Sequence, residues 1–423
     1  MNKLSSDVTN TPFSTDCTPV VFDDFRLHSA FQPILSPSHQ RIVGYEALVR
    51  PRRGNESVSP GTLFSVAAAE RQEPMLDLVL WGQCLERYAA TTPDAWLFLN
   101  LSSASVEDPL TTPAQLAQIV RDAGVACDRV VLEVVEEAVS DDRVLSDFVT
   151  ACKAEGFRLA IDDFGAGDAH FERVWLLSPD IVKMDRTMIV HAAENERACQ
   201  LFLSLIRLIR ENGSLVLIEG IETEAQARIA WRSDADFYQG FWYSHPMDSL
   251  DDPVSVAEQL RRCQREFDDL NVEQIREQSD TMRLLRFEVL DACHRIAGLK
   301  SLAEATETLL QLPGVKRCYL LNTEGRQEGD TVSAPELTHN GARFNPLTHS
   351  SGASWSHRDY FIAAIQAPSR IHLSRPYVAL PDTVRTVTVS HVTFTAKGNR
   401  VLCVDLHLDE AFPGANQILP MQL

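Results

Sequence analysis

No run of about 18 consecutive apolar residues occurs in the chain, so a membrane-spanning helix is not expected. Met1 to Cys17 lacks a basic start followed by an apolar core, which excludes a signal peptide of ordinary form. That stretch is rich in Ser, Thr, Asn and Asp, and residues 1–22 read as a disordered leader. Basic charge is in deficit: 39 Lys and Arg stand against 59 Asp and Glu, a formal net charge of -20. A nucleic-acid polymer needs a basic stripe, so that partner class is excluded. The nine cysteines contain no CxxC pair and no zinc spacing. A dispersed, odd set fits a reducing cytoplasm, with thiols packed as small apolar groups. No repeat of solenoid length is present.

What is present suffices for several cores. Hydrophobic residues make up 44% of the 423. At roughly 100 to 200 residues per domain, two or three domains are expected.

From residue 23 to 252 short apolar runs alternate with longer amphipathic stretches. The runs are RIVGYEALV (41–49), AWLFLNLS (95–102), RVVLEVVE (129–136), FRLAIDDF (157–164), DIVKMD (180–185), SLVLIEGI (214–221) and FYQGFWY (237–243). Between them, Leu116, Ile119, Val120 and Ala123 recur at helical spacing. So do Leu201, Leu205, Leu208 and Ile209. Such alternation predicts βαβ units around a mainly parallel sheet. A (β/α)8 barrel is the expected architecture, with an open doubly wound sheet as the alternative.

Residues 253–297 are charged and, from Val254 on, free of Gly and Pro, with Leu260, Phe267, Leu270, Ile275, Met282, Leu285, Val289 and Ile296 at helical intervals. A helical connector is predicted there. Residues 298–423 read as α+β. VKRCYLLN (315–322), RTVTVSHVTFTA (385–396) and RVLCVDLHL (400–408) have the pattern of antiparallel strands, with a hairpin at Lys397-Gly398-Asn399.

The chemistry lies in the polar residues that end the apolar runs: Glu46, Asn100, Glu133, Asp162, Asp163, Lys183, Glu219 and Gln239. One strand-end carboxylate is more often a helix cap than a ligand. Seven runs ending this way are not coincidence, because a carboxylate in an apolar strand is costly unless paired or metal-bound. In a barrel the carboxyl ends of the strands meet at one mouth, so these side chains are expected in one pocket. Oxygen donors without Cys or His favour Mg²⁺ or Mn²⁺ over zinc. Two such ions sharing an aspartate suit phosphodiester hydrolysis, and a nearby lysine suits the charge developing at phosphorus.

These residues resemble a known family. YEALVR (45–50) carries the Glu-Ala-Leu that names the EAL phosphodiesterases of bacterial cyclic di-GMP signalling. Collinear blocks follow the same family: FQPI (31–34), FLNLS (98–102), LEVVEE (132–137), AIDDFGAG (160–167), VKMD (182–185), EGIET (219–223) and QGFWYSHP (239–246). The resemblance implies a modified TIM barrel with one antiparallel strand, and hydrolysis of cyclic di-GMP to linear pGpG. It assigns Glu46, Asn100, Glu133 and Asp162 to one metal, and Asp162, Asp163 and Glu219 to a second. By the same resemblance Lys183 orients or activates the water, Glu136 ties down the loop after Asp163, and Gln239 supports the second metal's waters. Arg50 contacts a substrate phosphate, Gln32 lies against substrate, and Glu222 is supporting. It also implies a homodimer.

The chain departs from the family at Asp168-Ala169-His170, where Tyr-Ser-Ser is usual. No ligand position is lost. The competing reading is a catalytically idle cyclic di-GMP receptor that signals through the C-terminal half. That half is similar to a PAS- or Cache-like sensory domain over residues 356–390 and 401–408. There the resemblance makes Arg358, Tyr360 and Tyr377 contacts for a small-molecule ligand and implies control of the barrel. A cytoplasmic location is expected.

Overall fold

The computed structural model describes residues 20–91, 94–109, 111–135, 141–167, 171–248, 250, 253–335, 349–380, 383–396 and 398–413. The chain divides into two compact units, residues 1–267 and 268–423. No helix among the described residues is long and apolar enough to cross a membrane.

The first unit is built on ten strands: β1 (Val20–Phe22), β2 (Phe25–Ser36), β3 (Arg41–Arg53), β4 (Glu56–Ser57), β5 (Trp96–Leu101), β6 (Val130–Val135), β7 (Arg158–Phe164), β8 (Ile181–Met184), β9 (Leu215–Ile218) and β10 (Phe237–Tyr238). β3 and β5 to β10 pair in parallel in chain order, leaving out the short β4. β2 runs antiparallel to both β3 and β10 and closes the ring, so eight strands form a barrel. Closure excludes the open-sheet alternative. β2 supplies the strand that the seven apolar runs did not include. The run 237–243 is a strand only at Phe237–Tyr238. The end of the expected leader, Val20–Phe22, pairs with Phe25–Leu27.

Alternation along the strands sorts the core. Ile34, Val43, Phe98, Val131, Ala160, Ile181, Leu217 and Phe237, one from each barrel strand, form a cluster of their own. Their neighbours, such as Leu97, Leu99, Val130, Leu132, Leu159 and Val216, pack outward in the larger core. Both faces being apolar explains why these strands read as continuous hydrophobic runs. Gly44 belongs to the inward face: a Cβ there would lie 2.6 Å from a carbon of the Phe98 ring.

The helices between strands carry their own start signals. Thr112 and Thr223 each form a capping box with the Gln three residues on. In the helix Glu196–Glu211 the buried stripe is Cys199, Phe202, Leu203, Leu205, Ile206 and Ile209. Leu201 and Leu208, expected on the apolar face, are exposed.

The helix Pro253–Ala297 runs across the division between units. Val256, Leu260, Cys263 and Phe267 join the core of the first unit. Met282, Leu285, Val289, Ala292, Cys293 and Ile296 join that of the second.

The second unit contains β11 (Val315–Leu321), β12 (Gln327–Ser333), β13 (His372–Leu373), β14 (Tyr377–Ala379), β15 (Val384–Thr395) and β16 (Gly398–His407). They form one antiparallel sheet in the order β12-β11-β16-β15-β13, with β14 also on β15. A second cluster, containing Tyr319, Tyr360, Phe361 and Cys403, includes the helix Asp359–Gln366. The eight described cysteines are free and buried.

Candidate active site

The site follows from the two-residue period of a strand. On β5 to β10 a polar residue stands two positions beyond the inward apolar side chain; on β3, where the register against β2 shifts at Val43, Glu46 stands two beyond Gly44. Asn100 follows Phe98, Glu133 follows Val131, Asp162 follows Ala160, Lys183 follows Ile181, Glu219 follows Leu217 and Gln239 follows Phe237. On antiparallel β2, Gln32 precedes Ile34 by the same step and pairs with Glu46. Carboxyl ends of parallel strands meet at one rim, so the eight positions converge.

Lys183 is at the centre, with none of its surface exposed. Its Nζ lies 2.5 Å from Glu133 Oε1, 2.7 Å from Glu219 Oε1, 2.8 Å from Asp162 Oδ1 and 3.7 Å from Glu46 Oε1. Burial disfavours the ammonium, but Asp162, Glu133, Glu219 and Glu46 outweigh it and hold its pKa well above the ordinary value. Burial raises the Glu133 and Glu219 carboxyls well above theirs, against the pull of Lys183. Gln239 Nε2 donates to Glu46 Oε2 at 2.5 Å and fixes that carboxylate.

Consecutive strand residues ordinarily point to opposite faces. Asp162 and Asp163 do not. β7 slips in register against β8 between Ile161 and Phe164, and Asp163 takes a left-handed φ of 54°. Oxygens of Asp162, Asp163 and Glu219 consequently lie within 4.8 Å of one another. Burial, then the charge of Asp162, raises the Asp163 pKa from 3.8 to about 6. After Gln239 the chain turns at Gly240, φ 157°, where a Cβ would lie 2.1 Å from the Ile221 carbonyl oxygen.

The donor set fits hard divalent cations. Five carboxylates (Glu46, Glu133, Asp162, Asp163 and Glu219) surround a single ammonium, and Asn100 lines the adjoining cavity with Glu46. Both oxygens of Glu133, Oε1 of Glu219 and Oε1 of Gln239 are buried without a hydrogen bond. Lys183 is at ion-pair distance from two of these oxygens but without hydrogen-bond alignment. Oxygen-only ligands of this kind suit Mg²⁺, Mn²⁺ or Ca²⁺.

Beside the carboxylates is a cavity of about 360 Å³, lined by Glu46, Arg50, Pro60, Phe64, Asp77, Trp81 and Asn100 among others. Arg50 Nη1 donates to the Val49 carbonyl at 3.1 Å. Burial lowers its pKa, with Glu46 and Asp248 opposing. Gln32 Nε2 donates to the Ser244 carbonyl at 3.3 Å. Glu222 pairs with Arg186 at 2.7 Å, on the rim rather than in the carboxylate cluster. Glu136 and Asp168-Ala169-His170 lie outside the described residues.

Two residues of this wall escaped the reading of motifs. Asp77 Oδ2 accepts from the Ser102 backbone N–H at 2.9 Å and from Ser105 Oγ at 2.6 Å. Trp81 Nε1 donates to the Asn100 carbonyl at 2.9 Å. Together they pin the end of β5. The signal was a lone Asp inside the apolar run MLDLVLW of the helix Glu73–Thr91.

The barrel matches the EAL domain family over residues 22–246. This chain belongs to the EAL domain family. Among curated relatives, the uncharacterized EAL-domain containing protein YkuI of Bacillus subtilis is 26% identical over 223 residues, covering 52% of this chain and 55% of that protein. The probable cyclic di-GMP phosphodiesterase PdeB of Escherichia coli is 25% identical over 229 residues, covering 52% of this chain and 43% of PdeB. The chain thus spans about half the length, or less, of these relatives. The crystal structure of Bacillus subtilis YkuI, in complex with substrate c-di-GMP and calcium, superposes with a TM-score of 0.75 at 23% identity. It covers 94% of this chain and 98% of that one, so the likeness of fold extends beyond the EAL barrel to the second unit.

In that second unit Arg358, Tyr360 and Tyr377 come together. The Arg358 guanidinium lies 5.4 Å from the Tyr377 ring and 5.9 Å from that of Trp355. The rings of Tyr360 and Tyr377 stack at 6.4 Å. Their hydroxyls belong to a buried network. Tyr319 donates to the Tyr360 hydroxyl at 3.0 Å, Tyr377 bonds to Thr388 at 2.7 Å, and Thr388 donates to Asp405 at 2.8 Å.

Proposed function

We propose that the barrel hydrolyses cyclic di-GMP to linear pGpG with two divalent cations, Mg²⁺ or Mn²⁺. The observation that carries the reading is the gathering of Glu46, Glu133, Asp162 and Glu219 around Lys183, with Asp163 beside Asp162 and Glu219 and with Gln239 on Glu46. Glu46, Asn100, Glu133 and Asp162 would hold one ion, and Asp162, Asp163 and Glu219 the other. Bound ions of this kind lower the pKa of water and stabilise negative charge on phosphate oxygens. Lys183 keeps its proton, orients the carboxylates and adds positive charge beside the reacting phosphorus. Gln239 holds Glu46 in place. Arg50, with its fork of donors, takes a substrate phosphate at the mouth of the cavity. Phe64, Pro60 and Trp81 offer apolar walls for a base. The choice of nucleotide draws support from the substrate bound in YkuI and from the activity in the name of PdeB.

The test is incubation of the full chain with cyclic di-GMP and Mg²⁺ or Mn²⁺, products resolved by chromatography, with Glu46→Ala beside it. Metal-dependent pGpG from the wild type is expected, with loss of more than about a hundredfold in the variant. Undiminished turnover in Glu46→Ala would sink the assignment. Nucleotide binding without product from the wild type would replace it with the receptor reading.

The same proposal makes the second unit a PAS- or Cache-like sensory domain that regulates the barrel, in a homodimer. The antiparallel sheet and the cluster of Arg358 with Tyr360 and Tyr377 support it. A compound that raises the melting temperature of the full chain, and does so less in Tyr377→Ala, is the expected result of a ligand screen.

A further inference from the structure

Lys183 holds the side chains of Glu133, Asp162 and Glu219, and Gln239 holds that of Glu46. Asn100 is held through its backbone. β5 pairs with β3 only as far as Phe98, opposite Glu46, whereas its pairing with β6 continues through Asn100 to Leu101. At Asn100, therefore, β3 no longer pairs with the strand, and a backbone carbonyl in a buried setting still needs its donor.

The helix Glu73–Thr91 takes over that support. Trp81 Nε1 donates to the Asn100 carbonyl at 2.9 Å. One helical turn earlier, Asp77 accepts from the Ser102 N–H at 2.9 Å and from Ser105 Oγ at 2.6 Å. Residues four apart share a helix face, so one face grips the chain on both sides of Leu101. Of the two, Trp81 touches the donor residue itself. Its ring is 2% exposed and lines the cavity beside Glu46 and Asn100. In a close-packed wall an indole of that burial cannot shift without opening a void. The effect is one-sided. β5 brings a donor to the ion of Glu46, Asn100, Glu133 and Asp162, and none to the ion of Asp162, Asp163 and Glu219.

We propose that Trp81 is the positioning residue for Asn100 and so sets the affinity of one of the two cation sites, leaving the other to the ends of β7 and β9. The inference rests on the two-cation reading of the site.

Equilibrium dialysis of the full chain against Mn²⁺, without nucleotide, tests it apart from turnover. The wild type is expected to hold two ions with separate dissociation constants. Trp81→Phe keeps an aromatic ring and removes the N–H. It should raise one constant about tenfold or more, as loss of a partner behind a metal ligand does, and leave the other nearly unchanged. Double-mutant cycles identify the ion. In an Asn100→Ala background Trp81→Phe should add almost nothing, since the residue it positions has lost its amide. In an Asp163→Asn background it should cost the full loss. Trp81→Leu also lacks the donor and replaces Trp81→Phe if that variant does not melt cooperatively. A wild type that takes up no pair of ions overturns the two-cation reading, and this inference with it. Two ions in the wild type, with Trp81→Phe costing nothing or costing alike in both backgrounds, overturns the inference alone.

Discussion

Asp163 shows how much of the site rests on one backbone angle. Its left-handed φ is what lets two adjacent carboxylates share a face. Asp and Asn tolerate that conformation, whereas other side chains with a Cβ are strained by about 1–2 kcal/mol. Asp163→Asn should therefore keep the barrel intact, and Asp163→Ala should unfold at lower denaturant by that margin. The pH response of the metal-free chain follows from the raised pKa. A carboxyl lifted from 3.8 to about 6 in the fold binds its proton more tightly there than in the unfolded chain. Its contribution to stability is full below the lower value and is lost as pH rises through the upper one. Asp163→Asn should remove that slope, read by denaturant midpoints between the two values. Lys183 is the opposite case. Lys183→Met leaves Glu133, Asp162 and Glu219 without their cation, and breaking a buried pair costs about 3–5 kcal/mol. Calorimetry in chelator should show a melting temperature lower by roughly 10 °C. Under the two-cation reading, added Mn²⁺ restores part of the loss.

At the scale of strands, one register rule accounts for both the core and the site on β5 to β10: an apolar residue inward, then a polar residue two positions on, with β3 reaching the same rim through the register shift at Val43. That rule was readable in the chain because each parallel strand is short and ends at the rim. It therefore placed Glu46, Asn100, Glu133, Asp162, Lys183, Glu219 and Gln239 at one mouth before any fold was known. Features that depend on neighbours were not readable. β2 escaped the list of runs because its role is set by pairing with β3 and β10. Leu201 and Leu208 matched helical spacing, yet Phe202, Ile206 and Ile209 face the core, since an amphipathic stripe does not say which of two apolar edges packs. Trp81 acts through the Asn100 carbonyl of β5, and Asp77 through the Ser102 N–H just after that strand and the Ser105 hydroxyl, pairings set by the packing of a helix on the rim and not by any motif. Gly44 is another such position. With the Phe98 ring 2.6 Å from where its Cβ would be, Gly44→Ala overpacks the barrel floor and should cost about 1–3 kcal/mol. Phe98→Leu is expected to relieve most of that in a double-mutant cycle. If Gly44→Ala melts like the wild type, the floor is looser than its geometry states.

At the scale of the molecule, the division between units falls inside a helix rather than in a linker. The barrel keeps the first part. Trp231 and Phe267 pack with ring centroids 6.4 Å apart, Arg228 lies 5.9 Å from the Phe267 ring, and Gln259 donates to the Trp242 carbonyl at 2.8 Å. A fragment of residues 1–250 loses Val256, Leu260 and Phe267 from that core. At about 1.5–3 kcal/mol for each buried side chain, the loss is roughly 5–9 kcal/mol, comparable with the whole stability of a domain. Residues 1–267 should therefore melt cooperatively, and residues 1–250 should be unfolded or aggregated at the same temperature. The comparison bears on regulation. Lost turnover in the shorter fragment would report a barrel missing part of its own core, whereas a changed rate in the longer one would report removal of the second unit. Equal melting of the two fragments would mean that residues 253–267 do not stabilise the barrel, and the boundary would then belong before the helix.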